Sequence, residues 1–190
     1  MFISGEMMYA SVTLCVSVVR NAFSTKIRMK IDVMKKGDID QVLEIERASF
    51  SSPWSRNLFL SEFRSPLVST LMVALEDDPL LRKVTGYIVF WFVADEMHIL
   101  NLAAAPEQRR QGVAKKLVLA ALKRAYQKGA RRAFLEVRAS NEAAQRLYSN
   151  LGFTGTSVRR DYYDSPVEDA VVMILEKGVF EKLIKRYETA

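Results

Sequence analysis

Between Lys26 and Val33 charged and apolar residues alternate, Ile27, Met29, Ile31 and Val33 against Lys26, Arg28, Lys30 and Asp32, which predicts a half-buried strand. Gly37-Asp38 then offers a helix N-cap ahead of Ile39, Val42 and Leu43, and the pattern predicts a helix running to Phe50. After the break at Pro53, Ser55 caps a second short helix through Phe63. Three apolar runs follow, Ser69 to Leu75, Val84 to Val93 and Met97 to Ala105, the first two separated by the turn-like Asp77-Asp78-Pro79; they read as an antiparallel meander. Beyond Pro106 the period becomes helical, with Val113, Leu117, Ala120, Ala121 and Leu122 on one stripe of a helix expected to begin near Arg110 and to end at Gly129. Ala133 to Val137 predicts a strand, Asn141 to Leu151 a helix closed by Gly152, and Phe153 to Arg160 and Ala170 to Leu175 two last strands. A C-terminal helix from Gly178 to Tyr187 rests on the brief stripe of Val179, Phe180, Leu183 and Ile184. The order is β-α-α-β-β-β-α-β-α-β-β, an α/β chain.

The 190 residues suit one compact domain, and 49% hydrophobic with 26% charged residues is a folded, globular composition. Residues 1–24 add no recognisable strand, cap or motif and read as an N-terminal extension to a domain over 25–190, with Met29 and Met34 as alternative starts. Their apolar stretch from Met7 to Val19 is shorter than the roughly 20 residues that cross a bilayer, and Glu6 is the charge that precedes it where a signal peptide carries basic residues. No membrane association is expected. The net charge of +6, from 28 Lys and Arg against 22 Asp and Glu, favours an anionic ligand or partner; nucleic acid, a ribosome and a phosphorylated cofactor satisfy it equally. Cys15 and His98 are the sole residues of their kinds. They exclude a disulfide framework and a structural zinc site, argue against a Cys-His nucleophile, and point to a reducing, cytoplasmic setting.

The segment Gln108-Arg109-Arg110-Gln111-Gly112-Val113-Ala114 joins a strand to the long helix, so the first backbone N–H groups of that helix lack internal partners. With the positive end of the helix dipole behind them and little bulk at Gly112 and Ala114, they form a pyrophosphate cradle to which Arg109, Arg110 and Lys115 add charge. By itself such a segment is more often a surface turn. The stretch Arg109 to Ala114, however, resembles the acyl-CoA motif Arg/Gln-x-x-Gly-x-Gly/Ala of the GNAT N-acetyltransferases, and it follows an apolar strand as in that motif. Further stretches resemble the RimI branch of that family, the acetylases of a ribosomal protein's N-terminal alanine. These are Leu135-Glu136-Val137-Arg138-Ala139-Ser140-Asn141, Leu147-Tyr148 with Leu151-Gly152-Phe153, Arg159-Arg160-Asp161-Tyr162-Tyr163, Phe50-Ser51-Ser52-Pro53-Trp54-Ser55 and Glu168-Asp169-Ala170. The resemblance covers about residues 29–176.

That resemblance implies the GNAT fold, a mixed and mostly antiparallel sheet flanked by helices and splayed at its central strands. It implies acetyl-CoA as co-substrate, no metal, and a free N-terminal alanine amine of a ribosomal protein as acceptor, with transfer direct in a ternary complex. The carrier's pantetheine arm would lie along Leu102, Ala103 and Ala104, its pyrophosphate at Arg109, Arg110, Gln111, Gly112, Val113, Ala114 and Lys115, with Asn141 nearby. Glu136 matches the family's proton acceptor and Tyr148 its proton donor, and the backbone N–H near Ala103 is the candidate for polarising the thioester carbonyl. Pattern alone makes Glu136 an exposed strand glutamate or an ion-pair partner of a nearby arginine, and Tyr148 a packing residue on the stripe of Ala144, Leu147 and Leu151. Trp54, Tyr162 and Tyr163 are candidate walls of the acceptor groove, and Asp161, Asp164, Glu168 and Asp169 are either loop acids in solvent or a groove tolerant of basic peptides. Stable nucleic-acid binding is not expected, and action alone or in a complex is left open. The alternatives are a GNAT enzyme acting on other protein N-termini, lysine side chains or a small amine, and a non-catalytic basic module that grips the ribosome or RNA.

Overall fold

The computed structural model describes residues 29–78 and 80–188. The extension 1–24 with Cys15, the Lys26 to Arg28 part of the first alternation, and Pro79 of the expected turn lie outside the described residues. Those described form seven strands and five α-helices: β1 (Met29–Val33), α1 (Ile39–Arg47), α2 (Arg56–Phe63), β2 (Ser69–Glu76), β3 (Val84–Val93), β4 (Glu96–Ala104), α3 (Val113–Gln127), β5 (Arg132–Arg138), α4 (Glu142–Ser149), β6 (Thr154–Asp164), β7 (Val167–Leu175) and α5 (Lys177–Glu188). The strands make one sheet in the order β1-β2-β3-β4-β5-β7-β6, antiparallel except where β4 meets β5.

β2 and β3 read as nearly continuous apolar runs because both of their faces are covered. On one face Leu71, Val73, Leu75, Tyr87 and Val89 pack with Ile39, Val42 and Leu43 of α1 and Phe59 of α2. On the other, Met72, Ala74, Ile88 and Phe90 pack with Val113, Leu117, Ala121 and Leu122 of α3 and with Phe180 and Ile184 of α5. Gly86 on β3 permits the close seat of α3, since a Cβ there would stand 2.8 Å from both the Ala103 carbonyl oxygen and Val113 Cγ1.

The middle of the sheet opens for two linked reasons. The register of β3 with β4 passes from Phe90 opposite Ile99 to Val89 opposite Asn101, which leaves Leu100 as an extra, bulged residue. Before the bulge Met97 and Ile99 face the α3 side; after it Leu102 and Ala104 do, while Leu100 and Ala103 turn toward α1 and α2. At the same point the parallel pairing of β4 with β5 ends, its last partners being Ile99 and Leu135. The strands therefore part beyond the bulge, with Leu100 to Ala104 on one lip and Glu136 to Arg138 on the other.

Helix α1 ends at Arg47, short of the expected Phe50, and α4 spans Glu142–Ser149 within the expected Asn141 to Leu151; two further differences from the pattern bear on the site. The long helix starts at Val113 and not near Arg110, because Arg110 at φ +63° and Gly112 at φ +83° hold the chain in left-handed conformations that no helix continues through. The segment between the last two expected strands is itself paired: β6 and β7 run to a tight turn at Ser165 and Pro166, with an irregularity between Arg159 and Tyr163 where Asp161 takes φ +50°. Among the described residues, no helix is long and apolar enough to cross a membrane.

Candidate active site

Two cavities meet where β4 and β5 part. The first, of about 610 Å³, runs along Leu102, Ala103 and Ala104 to the start of α3, where Arg109, Arg110, Gly112, Val113, Ala114 and Lys115 line it; Asn141, Ala144, Leu147 and Tyr148 of the α4 segment form the facing wall. The second, of about 310 Å³, lies between Glu46, Phe50 and Trp54 on the α1 side and Glu136, Arg138 and Tyr163 on the β5–β6 side. Leu102, Asn141, Ala144 and Tyr148 belong to both walls. A long ligand in the first cavity therefore reaches a second ligand in the other at Tyr148.

The start of α3 has the geometry of an anion site. Its hydrogen bonding begins with Lys116 N–H to the Gly112 carbonyl at 3.0 Å, so the preceding N–H groups are free of helical partners. Nothing lies within 4 Å of the position a Gly112 Cβ would take, and the left-handed backbone there suits glycine. Val113 contributes backbone, since its side chain is buried in the core. Arg109 reaches back to α1, donating to the Ala48 carbonyl at 3.3 Å and to Ser49 Oγ at 3.0 Å. Gln111 does not line the cavity; its amide donates to the Glu107 carbonyl at 3.0 Å. Asn141 caps α4 by accepting the Ala144 N–H at 3.1 Å.

Tyr148 is 5% exposed and packs edge-on against Phe153. Burial pushes its hydroxyl well above the ordinary phenol value, so it holds its proton throughout the neutral range. Glu136 projects from β5 with its side chain 28% exposed, and Arg159 of β6 meets Oε1 at 3.0 Å, the second of the two readings that pattern alone left open. Trp54 and Tyr163 line the acceptor-side cavity and Tyr162 does not. Burial, then the neighbouring Tyr162, pushes Tyr163 up to about 12. The four acids of the β6–β7 region stand outside that cavity. Glu168 accepts from Ser140 N–H at 2.6 Å and from Arg138 at 3.0 Å, contacts that hold it below the usual carboxylate range, and Asp169 pairs with Arg160 at 2.8 Å.

Two polar residues of this site lie outside the motifs. Glu46 sits on α1 and is 1% exposed; Asn101 on β4 is 7% exposed. Trp54 N–H donates to Glu46 Oε1 at 2.7 Å, Asn101 Nδ2 lies 3.2 Å from both carboxylate oxygens, and the Tyr87 hydroxyl donates to Oε2. Burial is the dominant influence on Glu46 and raises its carboxyl above the ordinary value against the pull of those donors. The signal was present in the sequence: Ile39, Val42, Leu43 and Glu46 are spaced as one helical stripe, and a carboxylate at its fourth position breaks the pattern. Arg138, which lies within one of the resembling stretches, holds its guanidinium over the Tyr163 ring at 4.1 Å and donates to the Ser165 carbonyl at 3.0 Å.

Free N–H groups at a helix start, a strand pair that parts beside them and an adjoining smaller cavity with a carboxylate and a protonated tyrosine define a transferase that brings a long anionic carrier to a small acceptor. The chain belongs to the family described as Acetyltransferase (GNAT) family, whose sequence model matches residues 39–153. It is similar to a protein of Bacillus subtilis (strain 168), 37% identical over 148 residues that cover 78% of this chain and 95% of the relative. It is also similar to the [ribosomal protein bS18]-alanine N-acetyltransferase of Haemophilus ducreyi, 32% identical over 148 residues, 76% of this chain and 98% of that protein. Among solved structures, the ribosomal-protein-S18-alanine N-acetyltransferase from Escherichia coli superimposes with a TM-score of 0.70 at 29% identity, covering 79% of this chain and 94% of that one. The fold and the resemblance read from the motifs are thereby borne out, and the chain is an acetyltransferase.

Proposed function

We propose that this protein transfers the acetyl group of acetyl-CoA to the free N-terminal alanine amine of a ribosomal protein. The observation that carries the reading is the junction of the two cavities at Leu102, Asn141, Ala144 and Tyr148; the names of the relatives supply the acceptor.

The cavity along β4 and the start of α3 fits acetyl-CoA: free N–H groups and Gly112 take the pyrophosphate, with Lys115 and Arg110 nearby, and the unpaired edge of β4 from Leu102 to Ala104 takes the pantetheine amides. Acetyl-CoA supplies an activated acyl group joined to a thiol leaving group. A backbone N–H of the parted edge of β4 near Ala103, that of Leu102 or Ala104, since the N–H and carbonyl of Ala103 itself face β3, polarises the carbonyl and stabilises the negative charge that develops on its oxygen. An α-amine titrates near 7.7 to 8.0, so Glu136, directly or through one water, removes its proton at modest cost. The new C–N bond forms as the C–S bond breaks, and Tyr148, always protonated at neutral pH, presents its O–H to the departing sulfur.

The direct test is incubation with acetyl-CoA and a peptide bearing a free N-terminal alanine. One acetyl group on the alanine nitrogen, with one equivalent of free CoA, is the expected product by mass spectrometry. Absence of acetyl transfer to that peptide, with the acetyl group still passed to another amine and free CoA released, overturns the acceptor assignment.

A further inference from the structure

A carboxylate at the end of an apolar helical stripe, 99% buried, has to be accounted for, because an ion taken out of water without a countercharge is costly. Every donor that reaches Glu46 is neutral: the Trp54 N–H, the Tyr87 hydroxyl and the Asn101 amide. No ion pair involves Glu46 among the described residues, and no cationic side chain contributes to its titration. Neutral dipoles alone would hold a negative charge at this carboxyl, with no cation beside it. Glu46 nevertheless forms part of the acceptor-side cavity wall, opposite Glu136, which already has Arg159 as its cation. The β4 bulge at Leu100 is what turns the strand so that Asn101 lies under this carboxylate.

We propose that Glu46 is the anionic contact of the acceptor's N-terminal ammonium, so that the substrate itself supplies the missing countercharge. This rests on the acceptor reading above and deepens it by dividing the labour of two carboxylates. Glu46 recognises the charged amine on arrival, and Glu136, partly open to solvent, takes the proton. An ammonium held by a carboxylate is harder to deprotonate, so the contribution of Glu46 appears in acceptor affinity and KM rather than in kcat. A purely structural Glu46, fixing Trp54 and the α1–α2 loop, gives no preference for charge.

The test compares two peptides bound to the enzyme in the presence of CoA: one with a free N-terminal alanine and its analogue with the α-amine replaced by a hydroxyl. The parent is expected to favour the amine about 10- to 100-fold, the range of one charge-assisted hydrogen bond. Glu46→Gln is expected to reduce that preference to roughly threefold or less while binding the hydroxyl analogue as the parent does. Glu46→Asp, which withdraws the carboxylate by one methylene, is expected to fall between them and serves if the glutamine variant does not fold. A parent indifferent to the amine, or a preference that survives in both variants, overturns the proposal. Turnover of the alanine peptide is scored separately: discrimination without turnover sinks the acceptor reading and leaves the Glu46 contact standing, and turnover without discrimination does the reverse.

Discussion

Substitution of Gly112 separates what this residue does for the fold from what it does for the carrier. Its φ of +83° places it in the left-handed region, and the space where a side chain would project is open to at least 4 Å. An added side chain therefore meets no protein atom, and the cost to the fold is conformational. For valine the left-handed backbone costs about 1 to 2 kcal/mol, which at about 2 to 4 °C per kcal/mol for a chain of this size lowers Tm by about 2 to 8 °C. Asparagine tolerates that region far better, so Gly112→Asn is expected to melt close to the parent. Both side chains project toward the cradle, and displacing the pyrophosphate from two or more N–H groups, each charge-assisted bond being about 1.5 to 3 kcal/mol, lowers acetyl-CoA affinity about 100-fold or more. Calorimetric titration with acetyl-CoA beside a thermal melt reads the two effects independently. If Gly112→Asn bound acetyl-CoA as tightly as the parent, the cradle would not be at the start of α3.

Glu136→Gln and Tyr148→Phe are each expected to lose about 10²-fold or more in kcat with acetyl-CoA affinity unchanged; full activity of Glu136→Gln across the neutral range would remove it as the base. Because burial raises the Glu46 carboxyl in the folded state, the native protein binds more protons than the unfolded chain between the ordinary glutamate value and the raised one, and stability falls as pH rises through that window. Glu46→Gln lacks this loss, and the Tyr87 hydroxyl is free to turn and accept from the new amide. Its Tm is expected to equal or exceed the parent's at neutral pH, with the difference shrinking toward the ordinary carboxylate range; a lower Tm by the same margin at every pH refutes this.

Most of the fold was legible because each layer carries its own period. The apolar stripe of α3 and the two-sided burial of β2 and β3 leave no other reading of Val113 to Leu122 or of Val84 to Phe90. The start of α3 was not legible, since the left-handed turns at Arg110 and Gly112 are backbone conformations that side-chain periodicity does not record. Nor was the length of β6, whose exposed residues from Thr154 to Tyr162 lack the alternation that marks a half-buried strand. In the site, the motifs located Gly112, Glu136 and Tyr148 through resemblance, but they carry no information about the partners of these residues. The Arg159 pair, the role of Arg138 in tying β5 to the β6–β7 turn, and the face of the sheet on which Asn101 falls all depend on register and on one bulge. Glu46 was readable as a charge on an apolar stripe, and only its burial beside the acceptor cavity gave that oddity a chemical meaning.

The central claim concerns the acceptor, and geometry gives it a sharp form. An α-amine lies on the main chain, so its groove must admit a peptide terminus, whereas a lysine acceptor brings a long aliphatic stem to the same point. The most direct measurement is a competition between two matched basic peptides, one with a free N-terminal alanine, the other with its terminus blocked and an internal lysine available. Acetylation of the free alanine in preference to the lysine is the predicted result. Preferential acetylation of the blocked peptide would contradict the account while leaving the chain an acetyltransferase.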